Sequence, residues 1–86
     1  MKELERPLKA LANRRRLAIV RLLKQRHKVS VGNIAHDIKL SFTATSKHLG
    51  VLAAADIVER EQVNLNMFYS ISPTVPKPAR LIISLL

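Results

Sequence analysis

Along this chain apolar residues recur first at helical spacing and later by alternation, and the change of period divides the sequence. Leu4, Leu8, Leu11 and Ala12 fall on one side of a helix over residues 4 to 12. Pro7 sits best in a first turn, where a missing N–H costs little, so the ordered helix is expected to begin near Arg6. Asn13 suits the cap of a second helix, Arg14 to about Arg26. Its Leu17, Ala18, Ile19, Val20, Leu22 and Leu23 cover most of the circumference, which places it centrally in the core. His27-Lys28-Val29 reads as a connector. Ser30 then caps a short helix from Val31 to about Lys39, with Val31, Ile34, Ala35 and Ile38 at i, i+3, i+4 and i+7. Leu40-Ser41 is a tight turn into a fourth helix that Ser41 caps.

The fourth helix is the most informative stretch. Thr45, Leu49, Leu52 and Ala53 make one mostly apolar stripe, while Thr43, Ser46, Lys47 and Gly50 fall opposite. A solvated face usually carries longer, more charged side chains. Short hydroxyls, one cation and a residue with no side chain suit close approach to another surface, and a DNA major groove admits such a helix. Two short helices joined by a tight turn form a helix-turn-helix. An ordinary Ser/Thr-rich amphipathic helix would share this pattern, so the rest of the chain has to decide.

After Ala53-Ala54-Ala55-Asp56 the period shortens. Ile57 to Val63 and Met67 to Ser72 read as two strands, joined by Asn64-Leu65-Asn66, whose asparagines tolerate a left-handed backbone. A hairpin at about 57–72, directly after a recognition helix, is the wing of a winged helix. Pro73, Pro76 and Pro78 interrupt regular structure. The last stretch, about 78–86, is a short and very apolar helix. It is too short for a membrane span and too apolar to stay in water, so it is expected to cover a second copy of the chain or its own domain.

Charge sharpens this picture. The net charge is +9 with a pI near 11.0. Residues 1 to 28 hold ten Lys/Arg against Glu3 and Glu5, which accounts for nearly all of the excess. Such asymmetry is a usual footprint of phosphate contact, although a solvated basic surface would look the same. Only Phe42, Phe68 and Tyr69 are aromatic, so stacking on single-stranded bases is poorly supported. There is no cysteine, hence no disulfide or thiolate chemistry, and Met1 to Arg6 lack the apolar core of a signal peptide. A single domain spanning residues 1–86, in the cytoplasm and with no membrane association, is expected. No paired-carboxylate, nucleophile–base or glycine-rich phosphate constellation is present, so an enzyme is not expected.

Leu11-Ala12-Asn13-Arg14-Arg15-Arg16-Leu17 through Leu23, followed by Ser46-Lys47-His48-Leu49-Gly50-Val51-Leu52 and the apolar pair Ile57-Val58, resembles the ArsR-type winged helix-turn-helix regulators. The resemblance covers about residues 6 to 73. It implies a mainly α fold with a β-hairpin wing and a homodimer joined through the terminal helices. It also implies a repressor that binds an inverted-repeat operator in double-stranded DNA. The candidate DNA contacts are then Ser41, Thr43, Ser46, Lys47 and His48 on the recognition helix, with Arg14 and Arg15 on the helix before it. His48 is suited either to a phosphate or to packing beside a neighbouring helix. The candidate dimer contacts are Leu4, Leu8, Leu81, Ile82 and Leu85. Some arginines of the 14–16 run are alternatively suited to pair with Asp56 or Glu59 inside the fold.

The chain departs from the family pattern in several places. Where many members carry sensing cysteines it has Ile34, Ala35, His36 and Asp37, and its final helix has neither carboxylate nor histidine. His27, His36 and His48 have no spacing that converges on one ion, so no metal or other cofactor is expected. The wing tip carries no cation, and Gly50 stands where a basic residue is common. Two other readings fit the same elements: a winged-helix module that docks a protein, and an architectural protein that binds DNA without selecting sequence.

Overall fold

The computed structural model of the chain describes residues 1–86. Five helices and three strands follow in the order α1 (Lys2–Leu11), α2 (Arg14–Arg26), β1 (Val29–Ser30), α3 (Val31–Asp37), α4 (Phe42–Ala54), β2 (Val58–Val63), β3 (Asn66–Ile71) and α5 (Lys77–Ser84). None of the helices is long and apolar enough to cross a membrane.

Three helix starts are set by side chains next to them. The Asn13 side chain accepts from the backbone N–H of Arg15 and Arg16, Ser30 from that of Asn33, and Ser41 from that of Ala44. Two ends are set by left-handed residues. At the close of α3, Leu40 N–H bonds Ala35 C=O and Lys39 N–H bonds His36 C=O, with Lys39 at φ 56°. At the close of α4, Ile57 N–H bonds Leu52 C=O and Asp56 N–H bonds Ala53 C=O, with Asp56 at φ 58°. Both have the Schellman pattern, here built without glycine.

α2 lies across the core as its wide apolar circumference predicts, with Ile19, Val20 and Leu23 almost fully buried. Ile34 of α3, Leu49 and Leu52 of α4, and Ile57 join the same cluster. The strands form an antiparallel sheet in the order β1-β3-β2. In the wing Val63 pairs with Asn66 across Asn64-Leu65, and Asn64 takes φ 57°. Asn64 thus supplies the predicted left-handed turn residue, while Asn66 lies in β3 and not in the turn.

Several boundaries differ from the sequence reading; the wing strands shift by one residue, to Val58–Val63 and Asn66–Ile71. α1 begins at Lys2 and not near Arg6, so Pro7 lies inside it. Met1 C=O accepts from Leu4 and Glu5 N–H, and Glu3 and Glu5 favour the positive helix end, so the turn before Pro7 forms regardless. The buried Pro7 ring offsets part of the bond that its nitrogen lacks. α3 stops at Asp37 instead of Lys39, because Lys39 has turned left-handed. The connector 27–29 is partly sheet: His27 reverses the chain at φ 66°, ψ −65°, and Val29 pairs with Tyr69. α5 begins at Lys77, with Pro78 inside its first turn, where no N–H is needed.

α5 faces two ways. Ala79 and Ile83 are buried in the domain core, while Leu81 and Leu85 are 69% and 79% exposed. Lys24 Nζ of α2 donates to Ile83 C=O at 3.0 Å and reaches Ser84 C=O at 3.4 Å, placing a cation at the negative end of α5.

Asp56 ties the corner after α4 to the corner after β3. Its carboxylate accepts from Ser72 Oγ and Thr74 Oγ1, each at 2.7 Å, and Thr74 N–H donates to Ser72 Oγ. Each hydroxyl has one proton, and both are directed to the carboxylate, so the 3.1 Å approach of Ser72 Oγ to Thr74 Oγ1 is a contact between acceptors. The Thr74 bond first, and the Ser72 bond second, hold the exposed Asp56 carboxyl below its ordinary value of 3.8, with a smaller loss of hydration opposing. Its contribution to stability is complete above that value and is lost as pH falls through the lower folded value. Asp56→Asn keeps a residue that tolerates φ 58° but removes the charge. Thermal melts should show a lower midpoint than wild type at pH 7 and a weaker dependence on pH in the acid range; equal midpoints at pH 7 would remove the clasp from the stability of the fold.

Candidate nucleic-acid interface

α4 is amphipathic in the plane its sequence predicts. Thr45, Leu49 and Leu52 are wholly buried, each leucine contributing roughly 1.5–3 kcal/mol by leaving water. The buried Thr45 hydroxyl donates back to Ser41 C=O at 2.8 Å and so adds no unsatisfied group to the core. Thr43, Lys47 and Gly50 are exposed on the opposite side, and Ser46 is half-buried. Ser41 is exposed at the helix start. Its oxygen accepts from Ala44 N–H at 3.1 Å, which leaves the hydroxyl proton free to donate. The helix N-terminus adds free N–H groups and a partial positive charge, both favourable to a phosphate.

Gly50 has open space where a Cβ would stand, and its backbone is ordinary helix. Packing therefore does not require glycine there. A mid-helix glycine costs about 1 kcal/mol relative to alanine, so its presence is a local loss that the fold does not explain.

Arg14, Arg15 and Arg16 take different roles. Arg14 and Arg15, with Arg21 and Lys39, border an open groove of about 510 Å³ between α2 and the α3–α4 turn. The acid in this groove, Asp37, is engaged with Arg26 at 2.7 Å. The groove is thus a cationic strip ending at the start of α4. Sequence reasoning missed Arg21 and Lys39; Lys39 stands two residues before the Ser41 cap, a signal that was available. Arg16 turns inward to the end of α1. Its guanidinium donates to Ala10 C=O and approaches Lys9 C=O at 3.5 Å. Pairing of these arginines with Asp56 or Glu59 does not occur: Asp56 is held by hydroxyls, Glu59 makes no ion pair, and Arg16 satisfies carbonyls instead.

His48 is half-buried on the flank of α4. Its Nδ1 stands 3.4 Å from Arg16 Nη1. An arginine can only donate, so Nδ1 is the acceptor and the neutral ring carries its proton on Nε2. Burial first, then the charges of Arg16 and Arg15, hold the imidazole below its ordinary value of 6.5. The neutral ring joins the recognition helix to the start of α2.

The wing is nearly neutral. Glu61 is paired with Lys28 at 2.6 Å, and the same ammonium lies 5.9 Å from the centre of the ring of Phe68, the cross-strand partner of Glu61, which fastens the middle of the hairpin to the start of β1. Leu65 at the tip is 96% exposed. Of the candidate dimer residues, Leu4, Leu8, Leu81 and Leu85 are exposed, and Ile82 is half-buried. α1 and α5 pack against each other, so these residues lie on neighbouring elements.

Residues 13–60 match the family model described as bacterial regulatory protein, arsR family. The chain is 37% identical over 70 residues to the transcriptional activator HlyU of Vibrio cholerae; the match covers 81% of this chain and 64% of that protein. Its structure is similar to a homodimeric winged helix-turn-helix DNA-binding domain from Mycobacterium bovis, Mb0332, described as a possible ArsR-family transcriptional regulator. The TM-score is 0.85 at 33% identity, covering 98% of this chain and 74% of that one. It is also similar to the transcriptional repressor BigR from Xylella fastidiosa, with a TM-score of 0.81 at 31% identity, covering 98% and 80%.

Gly50→Ala separates a structural from a contact role. Melting should show a gain of about 0.5–1 kcal/mol from the better helix former. DNA affinity should fall if a surface approaches the helix closely at this point; an unchanged affinity would place Gly50 outside the contact.

Proposed function

The chain belongs to the ArsR family of bacterial regulatory proteins, which are DNA-binding transcriptional regulators and not enzymes, and from that premise we propose that it is a homodimeric repressor of an inverted-repeat operator. The observation that carries this reading is the outer face of α4, with Thr43, Lys47 and Gly50 exposed beside the capped N-terminus. In this reading α4 enters the major groove. Thr43 and Ser46 select bases, and Lys47 with the Ser41 hydroxyl holds the flanking phosphate. Arg14, Arg15 and Lys39 extend the phosphate contact along the cationic strip. His48 acts mainly as the support of the helix, with its Nε2–H as a donor.

Dimerisation uses the exposed leucines of the terminal helices, Leu4 and Leu8 with Leu81 and Leu85, and the edge of Ile82. Two copies would place their recognition helices about 34 Å apart, one turn of duplex, on a palindromic site. Repression follows from occupancy, since a dimer seated on promoter DNA excludes other proteins. The similar proteins include one named an activator and one named a repressor. Repression in this reading requires an operator that overlaps the promoter.

The deciding experiment is anisotropy titration against the DNA upstream of the protein's own gene and a scrambled duplex, each at two salt concentrations. Specific readout predicts at least about a hundredfold preference for the upstream DNA at moderate salt. Equal binding that collapses as salt rises would make this an architectural protein, and no binding to either would make it a docking module. Lys47→Ala should weaken binding and lower the salt slope by about one, with the melting temperature unchanged.

The dimer is tested without truncation, because removing α5 would take Ala79 and Ile83 from the core. In sedimentation, the double substitution Leu81→Glu and Leu85→Glu should shift the protein to a folded monomer. A dimer that survives it would place the interface elsewhere.

A further inference from the structure

The fold leaves a second basic groove, on the other flank of the recognition helix, that DNA reading does not use. It lies between α1 and the C-terminal half of α4 and encloses about 670 Å³, within the range of about 300–1,000 Å³ usual for small-molecule sites. Its walls carry Lys2, Arg6, Lys9 and Arg16 against the single acid Glu5. Its floor is apolar, with Ala10 of α1 and Val51 and Ala54 of α4.

The cations divide by availability. Arg6 donates to Ala54 C=O at 2.9 Å, supplying the positive group that the last turn of α4 lacks. Arg16 bridges Ala10 C=O and His48 Nδ1. The ammonium groups of Lys2 and Lys9 have no ion-pair partner. The groove therefore offers free positive charge above an apolar floor.

We propose that this groove binds an amphipathic organic anion, a carboxylate with an aliphatic or aromatic body, and that its occupancy is relayed to the recognition helix through Arg16 and His48. The carboxylate sits between Lys2 and Lys9, and the body covers Val51 and Ala54. Charge complementarity selects the anion. The apolar floor favours this occupant over a phosphate backbone, which is charged along its length and would leave Val51 uncovered. The position on α1 favours it over a second copy of the chain. Lys2, Glu5, Arg6 and Lys9 follow one another at i, i+3, i+4 and i+7, on the side of α1 turned away from Leu4 and Leu8. A dimer joined through those leucines leaves the groove open.

The relay has a defined path. An anion in the groove competes for the Arg16 guanidinium, which otherwise divides its donors between the α1 carbonyls and His48. Withdrawing Arg16 changes the environment of the imidazole on α4. The effector consequence rests on the DNA-binding reading above; the site itself does not.

The test uses the full chain with octanoate and phenylacetate as probes, and octanol and acetate as controls lacking charge or body. Calorimetric titration should give saturable binding of at least one acid, with both controls weaker by about tenfold or more. The His48 ring signals in the NMR spectrum should shift in the same titration. Lys9→Glu and Val51→Glu, both at exposed positions, should each abolish binding while melting stays cooperative. No saturable binding by either acid, or binding that survives both substitutions, would overturn the site. Binding with unmoved His48 signals would overturn the relay. If neither acid binds and Lys9→Glu weakens DNA binding, the groove is a phosphate track and the proposal fails. Acid binding by a protein that ignores DNA would leave the site standing and remove the function proposed above.

Discussion

The recognition helix has to be held firmly by one face so that the other can stay bare, and most of the structure answers that constraint. Leu49 and Leu52 enter a core supplied by Ile19, Val20 and Leu23 of α2 and Ile34 of α3. Thr45 joins the same buried face only because its hydroxyl is satisfied by the helix's own Ser41 carbonyl. A helix anchored in this way needs nothing from its outer side. That freedom is what lets Gly50 and the short hydroxyls stand where a structural helix would carry Ala, Glu or Lys. The ends are held as tightly as the middle: Ser41 fixes the start, and the Asp56 clasp with Ser72 and Thr74 fixes the exit into the wing.

A chain of this charge must also keep its own cations apart, and it does so by giving them unlike tasks. Lys24 and Arg6 meet the carbonyl ends of α5 and α4, where a positive charge complements the helix dipole. Arg26 and Lys28 take acids, Asp37 and Glu61. Arg16 is spent on the end of α1 and on His48. Arg14, Arg15, Arg21 and Lys39 remain together beside the start of α4, and Lys2 and Lys9 on its far flank. The two residual basic surfaces thus lie on opposite sides of the same helix.

Membership of the ArsR family sets the architecture and leaves the signal open to this chain's own residues. With no cysteine, this chain has no thiol through which its own redox state could change. The groove under α1 is the chemical alternative proposed above, and Arg16, which lines it, also meets His48 of α4.

Local physics was enough for much of this. Asn13, Ser30 and Ser41 cap helices because the groups they bond lie within three residues, and the buried and bare faces of α4 follow from spacing alone. The wing turn at Asn64 was legible for the same reason, since a left-handed asparagine is a property of the turn itself. What the tertiary structure decided always involved a partner far along the chain. Val29 becomes a strand only because Tyr69 returns beside it, and the Pro7 ring inside α1 finds a buried place only in the packed domain. Arg16 was indistinguishable in sequence from Arg14 and Arg15, and only the approach of α1 and α4 gave it carbonyls and an imidazole to bond. Asp56 was available to an arginine until Ser72 and Thr74 arrived with shorter, better-aimed donors. Periodicity says which face of an element is buried; it does not say which distant group will meet a given charge, and that was settled by how the helices pack.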